Sequence, residues 1–443
     1  MRLFEIQTRL KKTASQRPLL EGKEGKNVHL EHIEDLVYNE GYVGAQRALN
    51  YMEALRQLFA MGEGEPVKVT TKWDGSVAII SGIDPADGKF FVGKKSVFAK
   101  KNPEICKSLS DIKKFYGDRP NLAEKLKYAL KYLPKLGIGN VLQGDLMFTP
   151  GDLKTDIVGD QECYVFTPNT ITYAVPIQSE LGKRIARAKI GIIFHTSYEG
   201  PSIAEMKASF GFSASGLMPN NDVWFDDAIY RDYTGVASLT PQEDARIKKI
   251  LTAAATTFKK ISEKDFNKVI FTGRAKTAGG EEMTEFAKFV KPFINDIVRT
   301  MDPSRPQANQ VGDPTQFLKN FFTFYKGKME DEIAKLKGGA DNPAAQARIK
   351  KIQEYEKFMA DHANTLLGIL AIYKRIVEAK LEILKKIQRV ENIGTFIKTD
   401  TGYKVTAPEG FVAIGHDGGA VKLVDRIEFS RANFNAVKTW KQD

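Results

Sequence analysis

Apolar positions in the first sixty residues recur at spacings of three and four: Leu30, Ile33, Leu36 and Val37, then Ala48, Tyr51, Leu55, Leu58 and Phe59. That period predicts helix, with Gly62 and Gly64 as its end. From Val67 the texture changes to alternating, β-branched segments over 67–71, 77–83 and 90–97. Asp87-Gly88 supplies the tight turn of a hairpin between the last two. A basic helix over 122–136 precedes strand-like 139–148, 164–175 and 190–194.

After Leu239 the pattern is helical for some 150 residues, and its punctuation is clear. Thr240, Pro241 and Glu243 spell a capping box with proline at the first helical position, and Asp313-Pro314 and Asn342-Pro343 begin two more helices in the same way. Gly338-Gly339 closes one of them. In the last, Ile352, Tyr355, Phe358, His362, Leu366, Ile369, Tyr373 and Ile376 hold one face, and the pattern runs on toward Ile387. Unbroken, it would be about 70 Å long at 1.5 Å per residue, so a bend is expected near Gly368. Strands return over 396–405, 410–414 and 420–424. The chain thus reads as α+β, a mostly β domain whose sequence is split by a large all-helical insertion. Its parts are an N-terminal helical segment (1–65), the first part of the β domain (66–239), the insertion (240–392) and the second part (393–443).

Charge changes the picture in one respect. The 443 residues carry 66 Lys and Arg against 55 Asp and Glu, a formal net charge of +11, with 42% hydrophobic residues for packed cores. Residues 241–390 hold 28 Lys and Arg against 19 Asp and Glu, so +9 of the +11 falls in the helices. Such an excess favours polyanions through phosphate contacts and counterion release. Lys374, Arg375, Lys385 and Lys386 crowd one end of the long helix, and Lys94, Lys95, Lys100 and Lys101 surround Phe98 after the hairpin. All eight are candidate nucleic-acid contacts. Cys106 and Cys163 have no metal-ligand spacing, and no apolar run is long enough to span a bilayer, so a cytoplasmic protein without a membrane partner is expected; a monomer is expected as well. His29 and His32, beside Glu31 and Glu34, read as a solvated helix face and not as a metal site.

The chemistry concentrates at two places far apart. Lys72 lies in Thr70-Thr71-Lys72-Trp73-Asp74-Gly75, and a late segment offers Glu409-Gly410 followed by Lys422. A lysine is normally protonated, so an attacking amine must be desolvated or set beside other cations. Lys94, Lys95 and Lys422 are candidate neighbours. Attack of Lys72 on the α-phosphate of a nucleoside triphosphate would accumulate negative charge, for which a divalent ion and a second fixed cation are needed. Asp145, Glu409 and Lys422 are the residues expected to meet that need, with oxygen ligands suited to magnesium or manganese.

These motifs resemble those of the covalent nucleotidyltransferase superfamily, which contains ATP-dependent DNA ligases, RNA ligases and messenger-RNA capping enzymes, and most of all phage-type polynucleotide ligases. Lys72, Asp74 and Gly75 match the nucleophile motif, Thr70 and Thr71 precede it, and Thr70 matches a position that helps read the adenine edge. Gly144-Asp145 falls where relatives have Gly-Glu, contacting ribose or metal. Phe194 resembles the aromatic that stacks on adenine, Glu409-Gly410 the late metal-binding motif, and Lys422 the lysine on the α-phosphate. The sequence departs from the pattern at Val77, where DNA ligases have a ribose-reading arginine, and at Val424, where a second basic residue is usual; Arg426 is the candidate substitute.

The resemblance implies an antiparallel-sheet nucleotidyltransferase domain, an ATP-grasp-like ligase adenylation fold; in a departure from DNA ligases and capping enzymes, no C-terminal OB barrel is expected. It implies a polynucleotide ligase that uses ATP and Mg2+ (or Mn2+) and joins 5′-phosphate to 3′-hydroxyl ends of DNA or RNA through a lysyl-AMP intermediate. The alternatives are a GTP-dependent capping-type guanylyltransferase and a non-catalytic nucleic-acid-binding protein on a ligase scaffold.

Overall fold

The computed structural model describes residues 30–61, 68–159, 161–229, 238–271, 275–276, 282–301, 310–337, 342–387, 394–399, 402–405, 410–414 and 420–427. The helices are α1 (Leu36–Asn39), α2 (Gly41–Met61), α3 (Leu109–Tyr116), α4 (Pro120–Tyr132), α5 (Glu180–Arg187), α6 (Pro241–Lys259), α7 (Glu263–Phe271), α8 (Glu285–Thr300), α9 (Pro314–Ala334), α10 (Pro343–Asp361) and α11 (Ala363–Ile387). The strands are β1 (Lys68–Lys72), β2 (Ala78–Ile83), β3 (Phe90–Gly93), β4 (Val141–Phe148), β5 (Lys154–Val158), β6 (Gln161–Phe166), β7 (Thr172–Pro176), β8 (Ile190–Glu199), β9 (Lys207–Phe210), β10 (Val223–Asp227), β11 (Ala275–Lys276), β12 (Glu282–Met283), β13 (Gly394–Thr399), β14 (Gly402–Val405), β15 (Gly410–Ile414) and β16 (Ala420–Leu423).

Helix starts follow the caps written in the sequence. Thr240 accepts from the Glu243 backbone while the Glu243 carboxylate accepts from the Thr240 backbone at 2.8 Å, so two orphan donors of α6 are satisfied together. Asp313 caps α9 through Gln316 and Asn342 caps α10 through Ala344, each at 2.8 Å and each with proline next. The expected bend at Gly368 is not where the long helix breaks. The break falls at His362 (φ −115°, ψ 15°), which ends α10 before α11 begins. Gly368 instead lets α11 approach α6 and the residues after it: a Cβ there would lie 2.7 Å from the Ile261 side chain. Residues 164–175 are likewise two strands, β6 and β7, separated by a turn at Pro168 and Asn169.

The sheets are three main bodies. One runs β10-β8-β4-β2-β3 with β9 on β8; its pairs are antiparallel except β8 with β10. A second runs β14-β13-β7-β6-β5, and a three-stranded sheet runs β1-β15-β16. The last is stitched to the end of β10, where the Thr71 amide donates to the Ala228 carbonyl at 2.6 Å and Thr70 bridges Ile229.

Cores explain the arrangement. α3 and α4 cover one face of the β10-to-β3 sheet through Ile112, Tyr116, Leu126 and Leu133 against Ile79, Leu142, Leu146, Ile192 and Phe194. Part of the opposite face, with Met147, Ile193 and Trp224, packs on Phe166, Ile171, Tyr173 and Val175 of the second sheet. The largest core joins α1, α2 and α6–α11 to one face of the three-stranded sheet, through Val69, Phe411, Ala413, Val421 and Leu423. The N-terminal helices and the insertion therefore form one helical body, seated on the back of the sheet that carries Lys72 and Lys422.

Glu243 links a cap to that body, since it also accepts from Lys386 at 3.0 Å. The Thr240 backbone N–H first, then Lys386, hold its carboxyl down to about 2. A depressed folded-state carboxyl stabilises above its unfolded value and loses that contribution as pH falls through the folded one. Glu243→Gln is thus expected to cost about 1 kcal/mol at pH 7 in urea unfolding, with the difference from wild type shrinking as pH falls below 4.5 toward 2.

Candidate active site

Lys72 is the last residue of β1, opposite Gly410 of β15. Strand alternation puts Thr70 and Lys72 on the face opposite Val69, which points into the helical core. Thr70 faces Val412, and Val412 faces Lys422. Thr70, Val412 and Lys422 therefore form one row across three strands, about 10 Å end to end at the usual strand spacing, with Lys72 one pleat further along. Gly410 has a reason to be glycine: φ is +148°, and a Cβ would strike Val424 at 2.6 Å and the Leu423 carbonyl at 2.7 Å. Glu409 lies outside the described residues.

The loop after Lys72 is fixed at three points. Trp73 packs on Tyr173 with ring centroids 5.3 Å apart. Asp74 is buried, and its carboxylate accepts from the Asn169 side chain and the Thr170 and Ile171 backbones, each at 2.7 Å, while its own amide donates to the Tyr173 hydroxyl at 2.8 Å. Its carboxylate is thus committed to holding the loop on the β6–β7 turn. Gly75 lies against β4, where an added Cβ would come within 2.5 Å of the Asp145 Cβ. Ser76 N–H then donates to the Leu146 carbonyl at 3.0 Å.

Asp145 sits on the sheet face opposite α3 and α4, between Ala78 and Ile193. Its carboxylate is 3.7 Å from His195 Nε2, the two side chains being 23% and 26% exposed. His195 Nδ1 lies 2.7 Å from Thr196 Oγ1, which fixes the ring's orientation. Lys95 belongs to the same neighbourhood: desolvation lowers its ammonium pKa, and the Asp145 charge opposes that shift.

Phe194 corrects the expectation that it stacks on a base. It is 0% exposed, among Leu142, Leu146 and Ile192 under α3 and α4, with Phe212 edge-on at 6.2 Å. The ring that this strand offers on the Asp145 side is His195. The register slips here, because Gln143 faces Thr196 while Gly144 faces Phe194, leaving His195 as the extra residue of a β-bulge. A bulge re-aims one side chain, and simple alternation cannot show it. Sequence reasoning also missed Asp226, which pairs in register with Ile193 and is exposed.

Arg426 is corrected too. It is 3% exposed and pairs with Asp35 and Glu34 inside the helical body, so it is no substitute at the phosphate. His32, expected on a solvated helix face, is half-buried, precedes a 3-10 turn and bridges Lys422.

The candidate nucleic-acid contacts divide. Lys94 is half-buried, Lys95, Lys100 and Lys101 are exposed, and none of the four has an ion-pair partner among the described residues. Phe98 between them packs on Tyr198 at 4.7 Å. On α11, by contrast, Lys374 pairs with Glu378 (3.8 Å), Lys385 with Glu382 (2.9 Å) and Lys386 with Glu243 (3.0 Å), while Arg375 donates to the Thr257 hydroxyl (3.0 Å). The charge excess is also not confined to the insertion. Residues 94–135 hold 12 Lys and Arg against 4 Asp and Glu, an excess of +8 outside the insertion.

Fold and site together define an α+β protein in which two lysines distant in sequence share a sheet face, and an aspartate–histidine pair lies by the loop that follows the first. Among the described residues no three metal-ligating side chains converge, and no helix is long and apolar enough to cross a membrane. The chain belongs to the family of unknown function DUF6267, whose profile matches residues 27–438. No curated protein and no solved structure matched it.

Two outcomes follow from this geometry. Asp74→Ala would leave three donors of the β6–β7 turn unpaired and is expected to cost about 3 kcal/mol in chemical denaturation, with faster hydrogen exchange at Thr170 and Ile171. His32 has its pKa pushed well down, by burial first and then by Arg426, Lys380, Lys422 and Lys291. The unfolded chain therefore binds a proton that the folded chain resists, and stability falls as pH drops below about 6.5. His32→Gln is expected to flatten the fall in melting temperature between pH 7.5 and 5.5.

Proposed function

We propose that this chain is a covalent nucleotidyltransferase that works as an ATP-dependent polynucleotide ligase, with Lys72 as the nucleophile. The observation that carries the reading is the register that sets Lys72 and Lys422, 350 residues apart in sequence, on one face of the β1-β15-β16 sheet. A solvated strand end has no need of a second lysine on the same face, because like charges repel. A phosphate between them offsets that repulsion. Further support comes from Trp73, whose buried indole N–H has no hydrogen-bond partner although it follows Lys72 directly. Such a donor is costly to leave unmet and suits an acceptor oxygen of a bound nucleotide.

In this reading the Lys72 amine, once deprotonated, attacks the α-phosphorus of ATP. A P–N bond forms, the bond to the bridging oxygen breaks, and pyrophosphate leaves. Lys422 neutralises charge on the α-phosphate oxygens as it builds. A 5′-phosphate end then displaces the lysine, taking AMP into a P–O–P linkage. Finally a 3′-hydroxyl attacks that 5′ phosphorus, AMP departs, and the strand is joined. All three steps are displacements at phosphorus, so one cationic pocket serves each.

Asp145 fits a magnesium ion, which keeps several waters and uses one or two carboxylates with the substrate's phosphates; Glu409 is the second carboxylate that the motif resemblance suggests. Bound there, the ion supplies charge neutralisation at the triphosphate. Lys94, Lys95, Lys100 and Lys101, none in an ion pair among the described residues and with Lys95 in the field of Asp145, suit the strand's phosphates better than the ion-paired residues of α11.

The protein incubated with α-labelled ATP and magnesium, then denatured, is expected to carry an acid-labile, hydroxylamine-sensitive label. Lys72→Ala should abolish it, and Lys422→Ala should slow its formation about 100-fold. Label from GTP alone would favour a capping-type enzyme, and no label from either nucleotide would overturn the covalent reading. Nicked DNA, nicked hybrids and free single strands then separate the ligase substrates.

A further inference from the structure

Four residues beyond Lys422 the chain enters a set of buried charges that none of these steps uses. Arg426 pairs with Asp35 and with Glu34 (3.5 Å), and donates to the Tyr373 hydroxyl at 3.1 Å. Lys380 of α11 donates to Glu34 at 2.7 Å, with the two side chains 1% and 0% exposed. Lys291 of α8 reaches Glu31 at 2.5 Å and Asp35 at 3.8 Å. Three carboxylates thus meet three cations, and the charges balance.

The same short segment runs behind β16. The Lys422 amide donates to the Glu31 carbonyl at 2.8 Å, and His32 bridges Lys422 in parallel register. Residues 31–35 therefore touch both the backbone of Lys422 and the side chain of Arg426. Between those contacts the chain has little freedom, since Asp425 also accepts from the Ile427 amide at 2.9 Å.

The surroundings are apolar, with Leu36, Val37, Ile376 and Val377 all buried in the same core. Apolar residues of equal volume would stabilise such a core as well or better, because desolvation offsets much of the attraction between buried ions. What the ions add is uniqueness: any displacement strands a charge without its partner. The element held in this single arrangement is the strand end that bears Lys422.

We propose that Glu34, Asp35, Lys380 and Arg426 are positioning residues for Lys422. They lock α11 and the turn before α1 onto β16, and so give the helical body a part in the chemistry that is separate from any contact with nucleic acid. The inference rests on the nucleotidyltransfer reading above. None of the four residues touches the nucleotide; they act through the placement of Lys422.

Two variants test it. Glu34→Gln with Lys380→Met removes one buried anion with one buried cation, and Tyr373→Phe deletes only the hydroxyl that accepts from Arg426 beside those ion pairs. At a temperature where circular dichroism shows each folded, adduct formation at saturating ATP is expected to slow about tenfold in the double variant and about threefold in Tyr373→Phe. KM for ATP should change less than twofold, because the loss falls on charge that develops during reaction. Should the double variant fail to fold, Tyr373→Phe decides alone. Wild-type rates in a folded variant would overturn the positioning role and leave the covalent reading standing, whereas a wild-type protein that takes no label overturns both.

Discussion

The antiparallel ladder between β1 and β15 is the constraint on which this architecture depends. It pairs Lys68 with Ile414 and Lys72 with Gly410, closing a loop that contains two sheets and most of the helical body. Closing a loop of that size costs conformational entropy, although the cost grows only slowly with length. Five backbone-paired positions do not offset it alone. The offset comes from the inner face of the three-stranded sheet, where Val69, Phe411, Ala413, Val421 and Leu423 complete the core of α2, α6 and α11. The hydrophobic burial that seats the helices is the same burial that brings the two lysines to one face.

This makes the helical body more than an appendage. Its apolar faces close the ladder from behind, and its buried charges reach the chain just past Lys422. The opposite wall is built differently. Asp145 is placed by β4 and by the close approach of Gly75, and the loop between Lys72 and β2 is held by the buried carboxylate of Asp74. Two independently supported walls, one backed by helices and one by a second sheet, meet at the loop that follows Lys72.

Much of this was legible in the chain. Thr240-Pro241, Asp313-Pro314 and Asn342-Pro343 mark helix starts because cap chemistry is local, and the strands bearing Lys72, Asp145 and Lys422 are readable from alternation. The failures share a cause: each depended on a contact distant in sequence or on an irregularity. His195, and not Phe194, reaches the Asp145 side of the sheet through a one-residue bulge that shifts the pleat. Arg426, two positions beyond a vacant site, was claimed instead by Asp35, which is 391 residues away. The helix broke at His362 and not at Gly368 because the glycine serves close packing against Ile261. The β6–β7 pair hid its turn, since Pro168 and Asn169 sit between two runs that resemble one continuous strand. Helix α3 did carry a local signal, the capping box of Ser108 and Asp111.

The order of strands has a consequence for biosynthesis. β1 emerges early, but its partner β15 follows 338 residues behind in the Lys72–Gly410 pair. At the usual pace of translation of about 5–20 residues per second, that separation is roughly 20 to 70 s. Throughout that interval β1 has an open edge, the kind of surface that recruits other chains. Lysines at both ends of the strand, Lys68 and Lys72, supply charge that opposes such pairing. The lysine proposed as nucleophile in the finished protein thereby also guards the nascent one.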